Sequence, residues 1–308
     1  MKEIKNVYLS GLGAIGSAYA ARLYDMDPDS IRIIADRERI ERYTSKGIDI
    51  NGKTYHFKYL HPEDDAALAD LILIAVKQHH LEQVIKDIRK FVGKDTLIIS
   101  LLNGISSEEI LGQAFGMDKL LYSFCVGTDS VRDGTSIRYS TLGTIVFGER
   151  TNVTYTDKVL AVKDLFDRAH IPYKIPEDMI REQWWKFMMN VGLNQISAVL
   201  RAPYGVFQKV KEARDLMVMA CSEVVELAAK AGINLTRDDI DGFFSIIDTL
   251  SPKGKTSMLQ DVEARRKTEV EIFAGTVIEL GKKYGVHTPV NDMLFKMIRT
   301  LEQTYSPD

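Results

Sequence analysis

Cysteine is scarce in this chain of 308 residues: there are two, Cys125 and Cys221, far apart in sequence. That argues against a disulfide scaffold, and both are read as reduced thiols of a cytoplasmic protein without redox or metal duty. A surplus of one charge is also missing. Lys and Arg number 40 against 43 Asp and Glu, a net charge of −3. Nothing in that balance points to nucleic acid or to an anionic membrane surface. No apolar run approaches the ~20 residues that a membrane-crossing helix needs. An apolar strand is expected from Ile4, which leaves no room for a signal peptide. There is no internal repeat and no low-complexity segment. What remains is the composition of an ordinary globular protein, long enough for two domains and a sizeable core.

The positive content begins at the first strand. Ile4–Ser10 is rich in Ile, Val, Tyr and Leu and runs into Gly11-Leu12-Gly13-Ala14-Ile15-Gly16. Ser17–Tyr24 then reads as a helix with small residues toward a sheet, and Ile31–Ala35 as a second strand ending at Asp36. Strand, G-x-G-x-x-G, helix, strand and a following acidic residue is the order that a dinucleotide site requires. The first glycine permits a tight turn, the second admits a pyrophosphate to the backbone, and the third lets helix and strand pack closely. The helix start adds free N–H groups and a positive dipole end. The other reading is a glycine-rich turn with no ligand.

Asp36 and Arg37 pull in opposite directions over the cofactor. A carboxylate at the end of the second strand accepts hydrogen bonds from ribose hydroxyls and favours NAD, whereas Arg37 could pair with a 2′-phosphate and favour NADP. Further apolar strands are expected at Leu71–Val76, Thr96–Leu101, Leu120–Val126, Thr144–Phe147 and Ile171–Ile175, with a hairpin around Asn51-Gly52. Ligands of such sheets sit at strand C-termini, which selects Lys77, Asn103 and Ser130 as cofactor-side candidates, Ser130 at the nicotinamide end. Asn103-Gly104 is equally a plain turn. His79 and His80, being adjacent, are expected to face apart, and no metal site is assigned to them.

Pro176-Glu177-Asp178 breaks the pattern, and everything after it reads as helix. The fold class is therefore α/β: a dinucleotide-binding domain over residues 1–176, then an all-α domain over 177–308. Asp178 is a plausible N-cap for the first helix, and Phe207–Ala231, Arg237–Leu250, Ser257–Tyr284 and Val290–Tyr305 follow. Gly232 and Gly285 are placed as helix-ending glycines. The stretch Trp184–Leu200 is apolar around most of its circumference, yet Lys186, Asn190 and Asn194 recur every four residues. That spacing keeps the three within one roughly 80° stripe, the pattern of a polar cleft wall. The plainer alternative is a lysine reaching solvent and two asparagines bonding neighbouring backbone. Ser257 stands near a helix start, which suits a carboxylate ligand or simply an N-cap. Glu269, beside Arg265, Arg266 and Lys267, has the look of an exposed ion-pair partner.

Taken together, the glycine motif, Ala75-Val76-Lys77, Asn103-Gly104, Trp185-Lys186 with Asn190 and Asn194, Ser257-Met258-Leu259-Gln260-Asp261 and Arg266-Lys267-Thr268-Glu269 resemble the ketopantoate reductase (2-dehydropantoate 2-reductase) family over nearly the whole chain. The resemblance implies an N-terminal Rossmann domain, a C-terminal helical domain and NADP(H)-dependent reduction of 2-dehydropantoate to pantoate, on the route to pantothenate and coenzyme A. It implies Lys186 as general acid and Asn190, Asn194 and Ser257 as substrate ligands. It further implies Asn103 between cofactor and substrate, Glu269 near substrate and nicotinamide, and Lys77 at the cofactor. A small-molecule 2-oxo acid is the implied partner, and a monomer and a homodimer fit equally. Three positions depart from the family pattern. Asp36 stands where the family often has an arginine for the 2′-phosphate. Gly254 and Tyr204 stand where some members have substrate-contacting asparagines, which leaves room for a paralogue acting on another 2-oxo acid. A dinucleotide sensor without turnover is the non-enzymatic alternative.

Overall fold

The computed structural model describes residues 3–305. Short runs of Ile, Val and Leu become the strands. In chain order these are β1 (Val7–Ser10), β2 (Ile31–Ile34), β3 (Ile48–Ile50), β4 (Lys53–Tyr55), β5 (Lys58–Leu60), β6 (Leu71–Ile74), β7 (Leu97–Ser100), β8 (Leu120–Val126), β9 (Val131–Asp133), β10 (Ser136–Arg138), β11 (Thr144–Gly148) and β12 (Tyr173–Lys174). Helices α1 (Ala14–Met26), α2 (Arg37–Lys46), α3 (Leu81–Ile88), α4 (Ser107–Phe115) and α5 (Asp157–Arg168) connect them. Two compact units result, with the boundary between Met179 and Ile180.

In the first unit eight strands form one sheet in the order β12-β11-β8-β7-β6-β1-β2-β5. Neighbours are parallel except β8 and β11. Val7, Leu9 and all of β6 are buried, as strands covered on both faces must be. From β1 the chain goes to β2 on one side and later to β6 on the other. The loop after β1 therefore opens at a topological switch point, where open α/β sheets take their ligands. A second sheet, β4-β3-β10-β9, was half legible. Its β3–β4 hairpin turns through Asn51 (φ 51°) and Gly52 (φ 87°), the two positive values that a tight two-residue turn demands. The β9–β10 hairpin carries little apolar patterning, so the sequence does not mark it.

The described part of the second unit is helical. It comprises α6 (Met179–Leu200), α7 (Tyr204–Lys209), α8 (Lys211–Lys230), α9 (Arg237–Thr249), α10 (Ser257–Glu263), a π-helical turn at Glu271–Gly275, α11 (Thr276–Tyr284) and α12 (Pro289–Gln303). Two helices expected to be continuous are broken. Val210 is extended between α7 and α8, and the Arg214 guanidinium supplies hydrogen bonds to the carbonyls of Phe207 (2.6 Å) and Gln208 (3.3 Å) beside the break. The stretch read as one helix over Ser257–Tyr284 stops after α10. Arg265 there adopts a left-handed φ of 51°, and its neighbour's N–H returns to Asp261 O at 2.8 Å. Apolar periodicity runs through both breaks and so marks neither of them. Gly285 ends α11 with φ 69°, as placed, and Gly232 follows α8 with φ 75°.

The glycine in α6 has a packing reason. A Cβ on Gly192 would lie 2.3 Å from Cys221 Sγ of α8, so the missing side chain is what lets the two helices approach. The Cys221 thiol is buried and its pKa is pushed up to about 12 by that burial. Both cysteines are buried, and no disulfide joins them. No helix among the described residues is long and apolar enough to cross a membrane.

Candidate active site

The glycine-rich loop can be read position by position. Gly11 has φ 105°, and a Cβ on it would sit 2.5 Å from Ala75 O. A Cβ on Gly16 would sit 2.0 Å from Gly11 O. The protein's own packing requires both glycines. Gly13 is different: a Cβ there would meet nothing nearer than Ala75 O at 4.0 Å. Its backbone, at φ −83°, is one that other residues adopt. Gly13 is the N-cap of α1 with no side-chain cap, and the first helical bond runs from Ser17 N to Gly13 O at 3.0 Å. The amides of Ala14, Ile15 and Gly16 thus have no partner within the helix. Open space, orphan donors and a positive helix end fit a pyrophosphate.

Arg132, which no sequence motif marks, also meets the glycine loop. From β9 its guanidinium donates to Leu12 O (2.6 Å), Gly134 O (2.8 Å) and Tyr43 Oη (3.1 Å), tying the glycine loop to α2. Burial pulls the Tyr43 hydroxyl upward, but Arg132 and Arg42 outweigh it and leave its pKa below the usual value. No local pattern reveals a contact made across 120 residues of sequence.

Asp36 is the N-cap of α2: its carboxylate accepts the Arg39 N–H at 2.8 Å and pairs with the Arg39 guanidinium at 3.5 Å. It remains exposed, so a ribose can still reach it. Arg37 is exposed beside it, 3.9 Å from Glu63. Lys77 follows β6, Asn103 follows β7 and Ser130 follows β8, at the carboxyl edge that also carries the glycine loop. His80 stands there with its pKa lowered by burial and then by the charges of Arg39 and Lys77. The expectation that His79 and His80 face apart is corrected: a tight turn over Gln78–His80 brings their ring centroids to 4.2 Å. Gly104, at φ 90°, turns the Asn103 loop, and Ser130 is bonded to Thr128 Oγ1 through its hydroxyl (3.0 Å) and its amide (3.3 Å).

In the helical unit, Lys186 and Asn194 are each 8% exposed. Little of the lysine is thus exposed to solvent. An ammonium withdrawn from water needs polar company. The two asparagines bond each other, Asn194 Nδ2 to Asn190 Oδ1 at 3.4 Å, which is the neighbour relation that four-residue spacing implies. Thr256, not Ser257, caps α10, its hydroxyl accepting the Leu259 N–H at 3.1 Å. The same hydroxyl reaches Ser197 Oγ at 3.2 Å, one turn beyond Asn194. Ser257 is thereby released from capping, exposed and anchored near that end of the stripe. Glu269 is half-buried in the break after α10. Beside it, Arg266 pairs with Asp261 (3.0 Å) and Lys267 with Glu271 (3.3 Å). Each unit thus assembles its own candidates: the glycine loop, Asp36, Arg37, Lys77, Asn103 and Ser130 in one, and Lys186, Asn190, Asn194 and Ser257 in the other.

Both parts of the chain are similar to proteins of one known family. The family description "Ketopantoate reductase PanE/ApbA" matches residues 7–152, and "Ketopantoate reductase PanE/ApbA C terminal" matches residues 178–302. A 2-dehydropantoate 2-reductase of Aquifex aeolicus is 27% identical over 301 residues, covering 95% of each chain. Among solved structures, a D-mandelate dehydrogenase with NADH and anilino(oxo)acetate superposes with a TM-score of 0.88 at 22% identity, covering 97% of this chain and 99% of that one. A dimeric ketopantoate reductase from Staphylococcus aureus gives 0.82 at 21% identity, covering 98% and 100%.

Proposed function

Because this chain belongs to the ketopantoate reductase family of NAD(P)-dependent oxidoreductases, we propose that it reduces 2-dehydropantoate to pantoate. The observation that carries the reading is the stripe on α6, a buried amine followed at four-residue spacing by two mutually bonded amides. Reduction of a ketone builds negative charge on the carbonyl oxygen. Lys186 stabilises that oxygen and delivers a proton to it, the two duties of a general acid. Asn190, Asn194 and Ser257 present hydrogen-bonding groups for the hydroxyl and carboxylate of the acid. Glu269 is the negative counterpart that favours the charged form of the lysine. Bound reduced nicotinamide dinucleotide supplies the hydride. Gly13 and the first amides of α1 hold the pyrophosphate, Asp36 or Arg37 the adenosine ribose side, and Lys77, Asn103 and Ser130 the remainder.

A second reading concerns the acid. A Cβ on Gly254 would lie 2.9 Å from Tyr204 Cδ2, and Tyr204 donates from its amide to Gly254 O (3.0 Å) and from its hydroxyl to Lys255 O (3.2 Å). The two departures from the family pattern are therefore one coupled change, in which an aromatic ring fills the room of a side chain at 254. An aromatic surface in place of amides suits a bulkier, less polar 2-oxo acid. The likeness to a D-mandelate dehydrogenase makes an aryl acid the natural competitor.

Reduced-cofactor oxidation at 340 nm, with ketopantoate and phenylglyoxylate each offered with NADH and NADPH, tests both readings. Turnover of ketopantoate with the higher kcat/KM is expected. A higher value for phenylglyoxylate transfers the assignment to the aryl acid, and no turnover with any 2-oxo acid ends the enzymatic reading. Cofactor choice rests on Asp36, whose charge disfavours a 2′-phosphate. Asp36→Ser keeps the cap on α2, which is worth about 1 kcal/mol, and removes the charge. It is expected to raise the ratio of NADPH to NADH kcat/KM by about one order of magnitude. An unchanged ratio would mean that Asp36 does not face the ribose.

A further inference from the structure

The helical unit contains a buried polar chain to which the reaction assigns no duty. Glu223 on α8 is 8% exposed, and Asn291 on α12 and Gln195 on α6 are fully buried. Glu223 accepts from the amides of Val290 (2.8 Å) and Asn291 (3.0 Å) in the first turn of α12, and from Asn291 Nδ2 (2.7 Å). Asn291 Oδ1 accepts from Gln195 Nε2 (3.1 Å), whose second hydrogen goes to Val191 O (2.9 Å). Gln195 Oε1 in turn accepts the Ala274 N–H at 3.2 Å. The amide orientation of Gln195 is thus fixed, since a flip would aim its NH₂ at another donor.

The two ends of this chain matter. Gln195 is the residue after Asn194, so it grips α6 about 100° around from the Lys186–Asn190–Asn194 stripe. Ala274 lies in the π-helical turn that follows Glu269. The turn closes with Gly275 N to Val270 O at 3.0 Å, and Ile272 N reaches Glu269 O at 3.1 Å. Such turns hold a backbone away from regular helix and need side-chain support. On the other side of Glu269, Thr268 gives its amide (2.8 Å) and its hydroxyl (2.6 Å) to Glu302. Asn291 and Glu302 are eleven residues apart on α12, hence on one face of it. That single face holds the segment carrying Glu269 at Thr268 directly, and at Ala274 through Gln195.

We propose that Gln195, held by Asn291 and Glu223, is a positioning residue that sets the Glu269 segment in register with the stripe on α6. The proposal rests on the functional reading above only for its kinetic readout. A networked amide is a stiffer constraint than packing alone, because each bond has one geometry and no water to replace it.

Gln195→Met keeps volume and burial and removes all three bonds, while Val277→Ala on α11 serves as a packing control with the chain intact. Val277 is fully buried. Gln195→Met is expected to lose ~10-fold or more in kcat, with dinucleotide Kd within about twofold of wild type, the scale of a small misplacement of reacting groups. The control is expected to lose comparable Tm but less than about twofold in kcat. Hydrogen exchange over residues 268–275 should quicken in Gln195→Met and not in the control, and this readout needs no turnover. Unaltered kcat in Gln195→Met, a loss no larger than the control's, or unaltered exchange over that segment would each overturn the proposal. Inactivity of the wild-type protein toward every 2-oxo acid would remove the functional reading instead, and the exchange experiment would still decide the role of Gln195.

Discussion

Lys186→Ala is expected to lower kcat by ~10²-fold or more with the fold intact and dinucleotide binding within about twofold of wild type. A factor of a hundred is about 2.7 kcal/mol of barrier, the scale of one lost proton donor or oxyanion partner. The loss should appear in kcat and kcat/KM together, because the interaction is strongest once charge has moved to the carbonyl oxygen. Lys186 is only 8% exposed, so its removal also leaves a void beside polar neighbours. Circular dichroism and Tm must therefore accompany the kinetics, and Lys186→Met keeps the bulk for comparison. Rates near wild type in both variants would strip Lys186 of the role of acid.

The second large effect separates the glycines. Gly13→Val is expected to fold with a Tm close to wild type yet to bind NADH and NADPH roughly 10²-fold more weakly. The room over Gly13 is open, with nothing nearer to a Cβ than 4.0 Å, and its φ of −83° accepts a side chain. A valine would occupy the approach of a pyrophosphate to the α1 amides. Bonds from amides to a charged group contribute about 1.5–3 kcal/mol each, so one or two of them account for the loss. Gly16→Ala should instead fail in both respects, since its Cβ would lie 2.0 Å from Gly11 O and the loop would have to move. Isothermal titration and thermal melting of the two variants distinguish the outcomes. Unweakened binding in Gly13→Val would place the dinucleotide somewhere else.

These two sites were legible for different reasons. The glycine motif is contiguous, so its order and spacing are readable directly, with Gly11 and Gly16 answering steric demands and Gly13 leaving open room. The α6 stripe was legible because helix geometry converts a four-residue spacing into adjacency, as the Asn194–Asn190 bond shows. Ser257 was half legible: its place at a helix start was readable, but which hydroxyl capped that helix depended on Ser197, sixty residues earlier and bonded to Thr256. Arg132 and Gln195 were not legible at all, since their partners are backbone atoms and amides distant in sequence.

By itself the sequence determined the alternation of apolar strands with helices, the dinucleotide motif at the end of β1, the change to an all-helical second half and the polar stripe on its first helix. All of these are periodic or contiguous patterns, and local geometry turns them into structure. Tertiary structure alone decided where helices stop against their own periodicity, at Val210 and after Glu263, and which buried polar groups satisfy one another. The physical reason is the same in each case. Ending a helix or burying an amide is tolerated only where a partner from another element meets the stranded donor or acceptor, and that meeting does not exist until the chain has folded.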